Sequence, residues 1–470
     1  MSSSLTLFDW LFISVYFGAL IWLGWKKRSG GDSEEEFLLS GRKISLPAFV
    51  ATLVATWYGG ILGVGEWSYQ FGISQWLILG IPFYVFSALF AVFLAGKIRL
   101  NKALTIPEAI SNAYNKRAGR ISALPIFILV SPAPYILMLA LIIQFIIGGD
   151  APFMFYAFLV ALFSVVYITI GGFSAVVRTD ILQLALMFGG FILLLAFAMK
   201  EFGGFGTLFA SLPEGHLDIT GGNSLQYILV WFFIALWTFV DPSFHRRAAA
   251  AKTPETARKG IFVSIGFWML FDFLTCFCGL YAFAILGSGL EQPVMAYPVL
   301  ADQILPVGLK GIFILALFAT IMSTLDSYLF ISGQTLGRDY LVNYFPDVPP
   351  NRLTRISFLI SALIGILLIL LYPSVIDLWY IIGSVFIPGL LFPVLGIYIE
   401  RFRISSSMVM GSIVGCTAIS LGWLILGTVT AANDATLPYL GIEPFYPGLF
   451  AAILIWGYSK MTEKRRALQQ

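Results

Sequence analysis

Long apolar runs separated by short polar segments set the pattern of this chain. Each run has about 18–28 residues, which is the length that a helix needs to cross the hydrocarbon core of a bilayer. The runs predict an all-α polytopic membrane protein with 13 transmembrane helices. The predicted spans cover residues 5–25, 47–72, 75–96, 121–147, 152–170, 179–199, 224–244, 258–286, 307–335, 355–372, 376–399, 407–428 and 444–459.

The first apolar run has the features of a retained span and not of a cleaved signal. It lacks a basic leader, it contains Asp9, and Lys26, Lys27 and Arg28 follow it. A secretory signal would carry its positive charges before the apolar region and not after it. We therefore expect this segment to stay in the membrane.

The distribution of basic residues predicts the orientation of the chain. When the loops are placed alternately on the two sides, 26 of the 28 Lys and Arg residues fall on one side, and only Lys200 and Lys310 fall on the other. That count places Arg246 and Arg247 in the loop after the seventh span. By the positive-inside rule, the N-terminus lies outside and the C-terminus is cytoplasmic. The sequence thus predicts a multi-pass protein of the cell inner (plasma) membrane.

The composition excludes several classes of function. Hydrophobic residues make up 59% of the chain and charged residues 11%, with a mean hydropathy of +0.89, so an ordinary soluble domain is excluded. Only two histidines and three cysteines are present, and the cysteines lie inside apolar runs. No nucleophile–base pair or cofactor motif emerges, so an enzyme is not expected. Nucleic acid is not an expected partner.

Residues 315–339 combine an apolar span with a stripe of oxygen atoms. Thr320, Ser323, Thr324 and Ser327 are spaced i, i+3, i+4 and i+7, so they share one helix face, and Asp326 lies beside that face. A carboxylate in hydrocarbon is costly and almost always faces a cavity or a partner. The stripe therefore suggests a site for a small hard cation. The alternative, in which the hydroxyls bond back to the i−4 carbonyls, stays open.

Two spans carry helix-interrupting residues at matching places. The second span has Gly59 and Gly60 near its middle, and the seventh contains Asp241 and Pro242. An offset of five spans reverses the membrane orientation, so spans 2–6 and 7–11 form two candidate inverted repeats, each led by an interruptible helix. Glycines for close helix packing are the alternative.

The segment GGFSAVVRTDILQ at 171–183 resembles the signature of the sodium/solute symporter family, as found in sodium/proline, sodium/galactose and sodium/sialic acid symporters. The resemblance extends from about Ile44 to Arg403. It implies the leucine-transporter-like fold, in which ten core helices form a 5+5 inverted repeat. The matching residues are Gly171, Gly172, Ala175, Val176, Thr179, Asp180 and Gln183.

The resemblance also implies a division of the chain. Residues 1–43 form an N-terminal extra transmembrane helix and a cytoplasmic loop, and 44–200 form the first inverted repeat. An extracellular loop at 201–222 leads to the second repeat at 223–403. Residues 404–470 add two extra C-terminal helices and a short cytoplasmic tail.

The family's sodium site, carried over residue by residue, coincides with the oxygen stripe. It implies coordination by the carbonyls of Ala55, Tyr58 and Thr320 and by the hydroxyls of Ser323 and Thr324.

Some members hold another sodium one turn deeper. The corresponding positions are Asp180, Ser323, Asp326 and Ser327. Asp326 stands where those members carry a hydroxyl, so it binds sodium, binds a proton or pairs with a neighbouring cation. Asp180 has the alternative role of capping the helix that begins at Ile181.

The transported solute is expected between the interrupted helices. Glu66 and Asp272 are further intramembrane acids, each of which either binds a solute hydroxyl or amine or pairs structurally. No fixed cation is expected in the core, which disfavours a bulky acid sugar. The lining candidates are Trp57, Gly59, Gly60, Phe233 and Trp237.

These observations predict a sodium-coupled secondary active symporter that imports a small organic solute by alternating access. The solute is a sugar, an amino acid or a small carboxylate, and Na+ is the expected cofactor. The remaining partner is the lipid bilayer, and the protein is expected to function as a monomer. The alternatives are a transporter-like sensor or receptor and a passive sodium or solute channel.

Overall fold

The computed structural model describes residues 5–25, 38–148, 150–430 and 438–469, and this part of the chain is almost entirely helical. Its β structure consists of one isolated bridge between Ile44 and Ala251. The α-helices are α1 (Leu7–Trp25), α2 (Leu46–Trp57), α3 (Ile61–Phe71), α4 (Ile81–Phe90), α5 (Gly96–Leu100), α6 (Ile106–Ala113), α7 (Lys116–Leu129), α8 (Ala133–Ile147), α9 (Phe153–Phe202), α10 (Phe205–Ser211), α11 (Glu214–Leu217), α12 (Leu225–Ile234), α13 (Trp237–Val240), α14 (Pro242–Ala250), α15 (Pro254–Leu286), α16 (Ala296–Ile304), α17 (Leu309–Gln334), α18 (Pro350–Leu371), α19 (Val375–Tyr398), α20 (Thr417–Thr430) and α21 (Phe445–Gln469).

Short segments of other helical types join several of these helices into longer ones. The 3₁₀ turns are Ser40–Arg42, Tyr58–Gly60, Pro293–Met295, Leu341–Asn343, Glu400–Phe402 and Tyr439–Gly441. The π-helical segments are Trp76–Gly80, Ala91–Ala95, Thr335–Tyr340 and Gly411–Cys416.

Ten helical stretches in the described residues are long and apolar enough to cross a membrane, so the chain is a polytopic membrane protein. Leu7–Leu20 and Phe153–Thr169 are shorter apolar helices. The ten stretches are Leu46–Phe71, Trp76–Leu100, Lys116–Ile147, Val176–Phe202, Leu225–Ala250, Pro254–Leu286, Leu309–Asn343, Pro350–Leu371, Val375–Tyr398 and Gly411–Thr430.

The predicted boundary between the spans at 152–170 and 179–199 is not marked by a break in the helix. Helix α9 runs without interruption for 50 residues. A straight helix of that length would measure about 75 Å, more than twice the hydrocarbon core of about 30 Å. No proline lies between Phe153 and Phe202, so no residue in this stretch forces the helix to end.

The first interrupted helix breaks at the predicted place. Helix α2 ends at Trp57, and a 3₁₀ turn leads into α3. A side chain at Gly59 would collide with Thr324, and one at Gly60 would collide with the Trp379 ring. The two glycines therefore lie at the change of helix type and also allow close packing. The interrupted helix and the close helix packing, which the sequence left as alternatives, occur together.

The second interrupted helix is broken twice. Residues Ala235 and Leu236 separate α12 from α13, and Asp241 separates α13 from α14. The Asp241 carboxylate caps α14 by accepting a hydrogen bond of 2.7 Å from the Ser243 amide. Proline at the first helical position starts a helix, so Pro242 begins a new one that extends to Ala250, into the residues that the sequence placed in a loop.

This extra helix overturns one predicted placement. Arg246 and Arg247 do not lie in an exposed loop after the seventh span. Both belong to α14 and are buried, with exposed fractions of 5% and 0%. The prediction was wrong because the Asp241–Pro242 pair was taken as the end of the span.

Helix α17 lies at the centre of the protein. Within its apolar window, 94% of the residues are buried inside the protein. Asp9 of α1 caps its N-terminus, since one carboxylate oxygen accepts hydrogen bonds from the amides of Gly308 (3.0 Å) and Gly311 (2.7 Å). The N-terminal helix thus helps to hold in place the helix that carries the oxygen stripe.

We expect Gly190→Ala to lower the unfolding temperature of the detergent-solubilised protein by several degrees. The new methyl group would overlap the Cβ of Ala316 on α17, and overpacking of this kind costs about 1–3 kcal/mol. The neighbouring Gly189 has open space at its Cβ position, so Gly189→Ala should leave the temperature unchanged or raise it slightly. Equal effects of the two variants would contradict the close packing of α9 on α17.

Candidate functional site

The oxygen stripe of α17 faces the first interrupted helix. The Thr324 hydroxyl donates a hydrogen bond of 2.6 Å to the Thr56 carbonyl of α2. The Thr56 hydroxyl lies 3.3 Å from the Ser323 hydroxyl. Ser323 is fully buried and Thr324 is 1% exposed. The two helices are therefore docked at the level of the predicted sodium ligands, and the stripe does not face lipid.

The other predicted sodium ligands occupy the same region, in α2, in the 3₁₀ turn that follows it and in α17. Ala55 is fully buried, and the Tyr58 side chain points away to donate a hydrogen bond of 2.7 Å to the Trp268 carbonyl. The Thr320 hydroxyl donates to the Ala316 carbonyl at 2.6 Å. For Thr320, then, the alternative of bonding back to the i−4 carbonyl holds, which still leaves its own carbonyl oxygen as a candidate ligand.

The stripe continues into a buried cluster of charges. The Ser323 hydroxyl donates a hydrogen bond of 2.6 Å to Asp180. Asp180 also accepts a hydrogen bond from Thr52, and its carboxylate lies 3.8 Å from the guanidinium of Arg247. Both members of this ion pair are fully buried. Burial of two charges is stabilising only when hydrogen bonds satisfy the remaining polar atoms.

Arg247 is the fixed cation that the sequence analysis did not expect. Its guanidinium donates hydrogen bonds to Ser327 at 3.0 Å, to Ser243 at 2.6 Å and to Thr56. The prediction of a core without a fixed cation is therefore wrong. The sequence signal that was available is Pro242 itself, which is compatible with a helix start and thus with a helix, and not a loop, at Arg247.

Asp326 lies beside this cluster, next to Ser327 in the chain. It is fully buried, and neither of its carboxylate oxygens has a hydrogen-bond partner among the described residues. An ionised carboxylate left in this state is costly. This makes Asp326 a candidate position for a cation or a proton.

A cavity of about 100 Å³ lies next to the first interrupted helix. Four of the predicted solute-binding residues line it, namely Trp57, Gly60, Trp237 and Asp272. The lining residues are Trp57, Tyr58, Gly60, Val64, Gln75, Leu79, Phe83, Tyr135, Trp231, Ile234, Trp237, Asp272, Tyr328 and Trp379.

Three predicted solute-binding residues lie elsewhere in the described structure. Gly59 packs against Thr324. Phe233 stacks on Phe445, with ring centroids 6.5 Å apart, so it faces the C-terminal helix. Glu66 is partly buried on α3 and is not among the lining residues. The structure does not bring these three to the cavity wall, because a sequence shows which residues lie near a break, but not which way each one points.

For Asp272 the structural alternative holds, and the residue also lines the cavity. Its carboxylate accepts a hydrogen bond of 3.1 Å from the Gln75 amide and another from the Tyr84 hydroxyl. It also forms part of the cavity wall. Asp272 is thus held by structural partners while it remains next to the space for a solute.

Sequence reasoning missed several residues of the site. Thr52 and Thr56 are four positions apart on α2, which is a signal for a shared helix face that was available. Tyr135, Tyr328 and Trp379 had no comparable signal, because their helices meet at the cavity only in the folded protein.

The fold has relatives among solved structures. A Na+-coupled sialic acid symporter in a substrate-bound outward-open state matches with a TM-score of 0.74 and 15% identity, and the match covers 97% of each chain. Mhp1, a nucleobase-cation-symport-1 family transporter in a closed conformation, matches with a TM-score of 0.58 and 15% identity, over 89% of this chain and 92% of Mhp1. These likenesses show that the chain has the leucine-transporter-like fold.

The sequence also has curated relatives. The sodium/glucose cotransporter of Vibrio parahaemolyticus is 26% identical over 391 aligned positions, which cover 74% of this chain and 70% of the relative. The osmoregulated proline transporter OpuE of Bacillus subtilis is 24% identical over 486 positions, covering 97% and 95%. The sodium/pantothenate symporter of Escherichia coli is 25% identical over 485 positions, covering 94% and 93%.

A family model described as "Sodium:solute symporter family" matches residues 37–415. This match covers most of the chain and includes both interrupted helices and the oxygen stripe. The relatives are transporters with names that cover several different solutes, so they indicate the transport class and not the cargo. The chain therefore belongs to the sodium:solute symporter family and couples the transport of a small solute to sodium.

Proposed function

We propose that this symporter imports a small organic solute by alternating access, with sodium bound between α2 and α17. The single observation that carries the proposal is the hydrogen bond of 2.6 Å from the Thr324 hydroxyl to the Thr56 carbonyl, because it joins the two helices at the level of the candidate ligands. A cation that needs oxygens from both helices favours the conformation in which they are docked.

The proposed sodium ligands are the carbonyls of Ala55, Tyr58 and Thr320 and the hydroxyls of Ser323 and Thr324. Carbonyl and hydroxyl oxygens suit a hard cation. One sodium that moves inward through a potential of about 100 mV releases roughly 2.3 kcal/mol, which is enough for about fortyfold accumulation of a neutral solute.

A second cation would need oxygen ligands that the guanidinium of Arg247 already contacts. The proposed second group is Asp180, Asp326 and Ser327, and the guanidinium already contacts Ser327 at 3.0 Å and Asp180 at 3.8 Å. We propose that Arg247 neutralises Asp180 in this conformation. A second sodium, or a proton at Asp326, then binds when the guanidinium moves away, and the missing partner of Asp326 supports this role.

We also propose the finer architecture: 13 transmembrane helices, with a first repeat at 44–200 and a second at 223–403. The broken helices α2–α3 and α12–α14 support this division because each stands near the start of its repeat. The segments 1–43, 201–222 and 404–470 would be the N-terminal helix with its loop, the extracellular loop and the C-terminal helices.

The proposed location is the plasma membrane, with an external N-terminus, a cytoplasmic C-terminus and a functional monomer. With the two buried arginines of α14 left out of the count, 24 of the other 26 Lys and Arg residues still fall on the cytoplasmic side of this topology. The buried arginines therefore do not weaken the proposed orientation.

Ser323→Ala and Thr324→Ala should each raise the sodium concentration for half-maximal uptake in proteoliposomes by about tenfold, the equivalent of about 1.4 kcal/mol. Each variant removes one proposed hydroxyl ligand. Ser332→Ala is the matched control, since Ser332 lies on the same helix but donates to the Phe127 carbonyl at 3.2 Å. Unchanged sodium activation in Ser323→Ala and Thr324→Ala would remove the basis for the site.

Arg247→Gln should lower the unfolding temperature strongly, because removing one partner of a buried ion pair typically costs about 3–5 kcal/mol. Adding Asp180→Asn to this variant should recover part of the loss. Arg258→Gln is the control, since Arg258 is exposed.

If a second cation binds at the residues that Arg247 contacts, sodium chloride should stabilise Arg247→Gln more than it stabilises the parent protein, with potassium chloride as the reference salt. An equal stabilisation of both proteins by sodium chloride would argue against a second cation at these residues.

A further inference from the structure

The cavity beside the first interrupted helix is unusually rich in aromatic side chains. They come from helices that are far apart in sequence, so the fold and not local sequence gathers them. Eight aromatic residues are among its lining residues: Trp57, Tyr58, Phe83, Tyr135, Trp231, Trp237, Tyr328 and Trp379. The face of an aromatic ring carries negative electrostatic potential and attracts cations, most strongly in tryptophan.

Packing fixes the orientation of the central ring. Trp57 makes an edge contact with Phe83, with ring centroids 4.9 Å apart, and another with Phe244 at 5.3 Å. It also contacts Trp268 at 5.2 Å. A ring held on several sides loses little further freedom when a ligand binds against it.

Asp272 is the one formally charged side chain among the described lining residues, and the wall they form includes no Lys, Arg or His. Its partners, Gln75 and Tyr84, are neutral. They hold the carboxylate in place but supply no positive charge. Asp272 is only 3% exposed, and a buried carboxylate is stabilised most by an opposite charge nearby.

Gln75 adds a second acceptor beside this carboxylate. The residue is fully buried, its amide nitrogen donates to Asp272, and its carbonyl oxygen Oε1 has no hydrogen-bond partner among the described residues. A buried acceptor without a partner is costly, so a donor from a bound molecule would satisfy it.

We propose that the transported solute carries a positively charged nitrogen, which binds between the aromatic rings and the carboxylate of Asp272. This inference rests on the proposed function and names the solute class for the same cavity. An anionic solute would meet Asp272 with no cation in the described wall. Arg247 does not compensate it, since its guanidinium donates a hydrogen bond to Ser327, pairs with Asp180, and does not line the cavity.

The test compares two molecules of nearly equal shape that differ in charge. Choline carries a quaternary ammonium, and 3,3-dimethylbutan-1-ol has a neutral carbon in its place. Binding to the purified full-length protein is followed by tryptophan fluorescence, in sodium chloride and in potassium chloride. We expect choline to bind at least tenfold more tightly than the neutral alcohol.

Variants locate the effect in the cavity. Asp272→Asn should reduce the preference for choline to threefold or less, while Asp302→Asn, on α16 and paired with Lys310, should keep it. Asp272→Asn removes a buried carboxylate and its hydrogen bonds, and this change can impair folding. Trp57→Phe therefore provides a second test. It should weaken choline binding severalfold and leave binding of the neutral alcohol unchanged.

The possible outcomes separate this inference from the proposed function. Sodium-dependent binding of glucose or pantothenate, with no preference for choline over its neutral isostere, overturns the inference and leaves sodium coupling intact. A preference for choline that is lost in Asp272→Asn but is the same in both salts supports the cation site and contradicts sodium coupling. No difference between choline and the alcohol in either salt overturns the inference.

Discussion

The contact between the oxygen stripe of α17 and the interrupted helix α2–α3 is the constraint on which the rest of the structure depends. In the middle of an ordinary helix, each backbone carbonyl already accepts one intrahelical hydrogen bond. The change of helix type at Tyr58–Gly60 alters that pattern, and Thr324 donates to the Thr56 carbonyl just before it. The absent side chain at Gly59 allows this approach.

The same contact brings together two different polar environments. On one side, Ser323 leads through Asp180 to a buried network in which Arg247 is the cation. On the other side, Trp57 and Tyr58 face a cavity in which Asp272 is the charged lining residue among those described. Sodium and solute would thus act on the same interrupted helix through neighbouring residues, which is a direct physical route for coupling.

Some of this arrangement was predictable from sequence because it depends on local spacing. The stripe Thr320, Ser323, Thr324 and Ser327 is buried on one helix, as its period indicates. The stacking of Phe233 on Phe445 was not predictable, because the distance of Phe233 along the chain from a helix break does not specify the direction of its ring. The role of Arg247 was missed because the double break around α13 turned what looked like a loop into a buried helix.

From the chain alone, the apolar runs predicted a membrane protein. The hydroxyl spacing predicted a polar stripe, and the glycine pair indicated an interrupted helix. These features arise from neighbours within a few turns of helix, for which periodicity is a sufficient guide. Only the folded protein decided that Arg247 pairs with Asp180 and that Trp57, Asp272 and Trp379 share one cavity. Those contacts join residues far apart in sequence, and the packing directions of whole helices determine them.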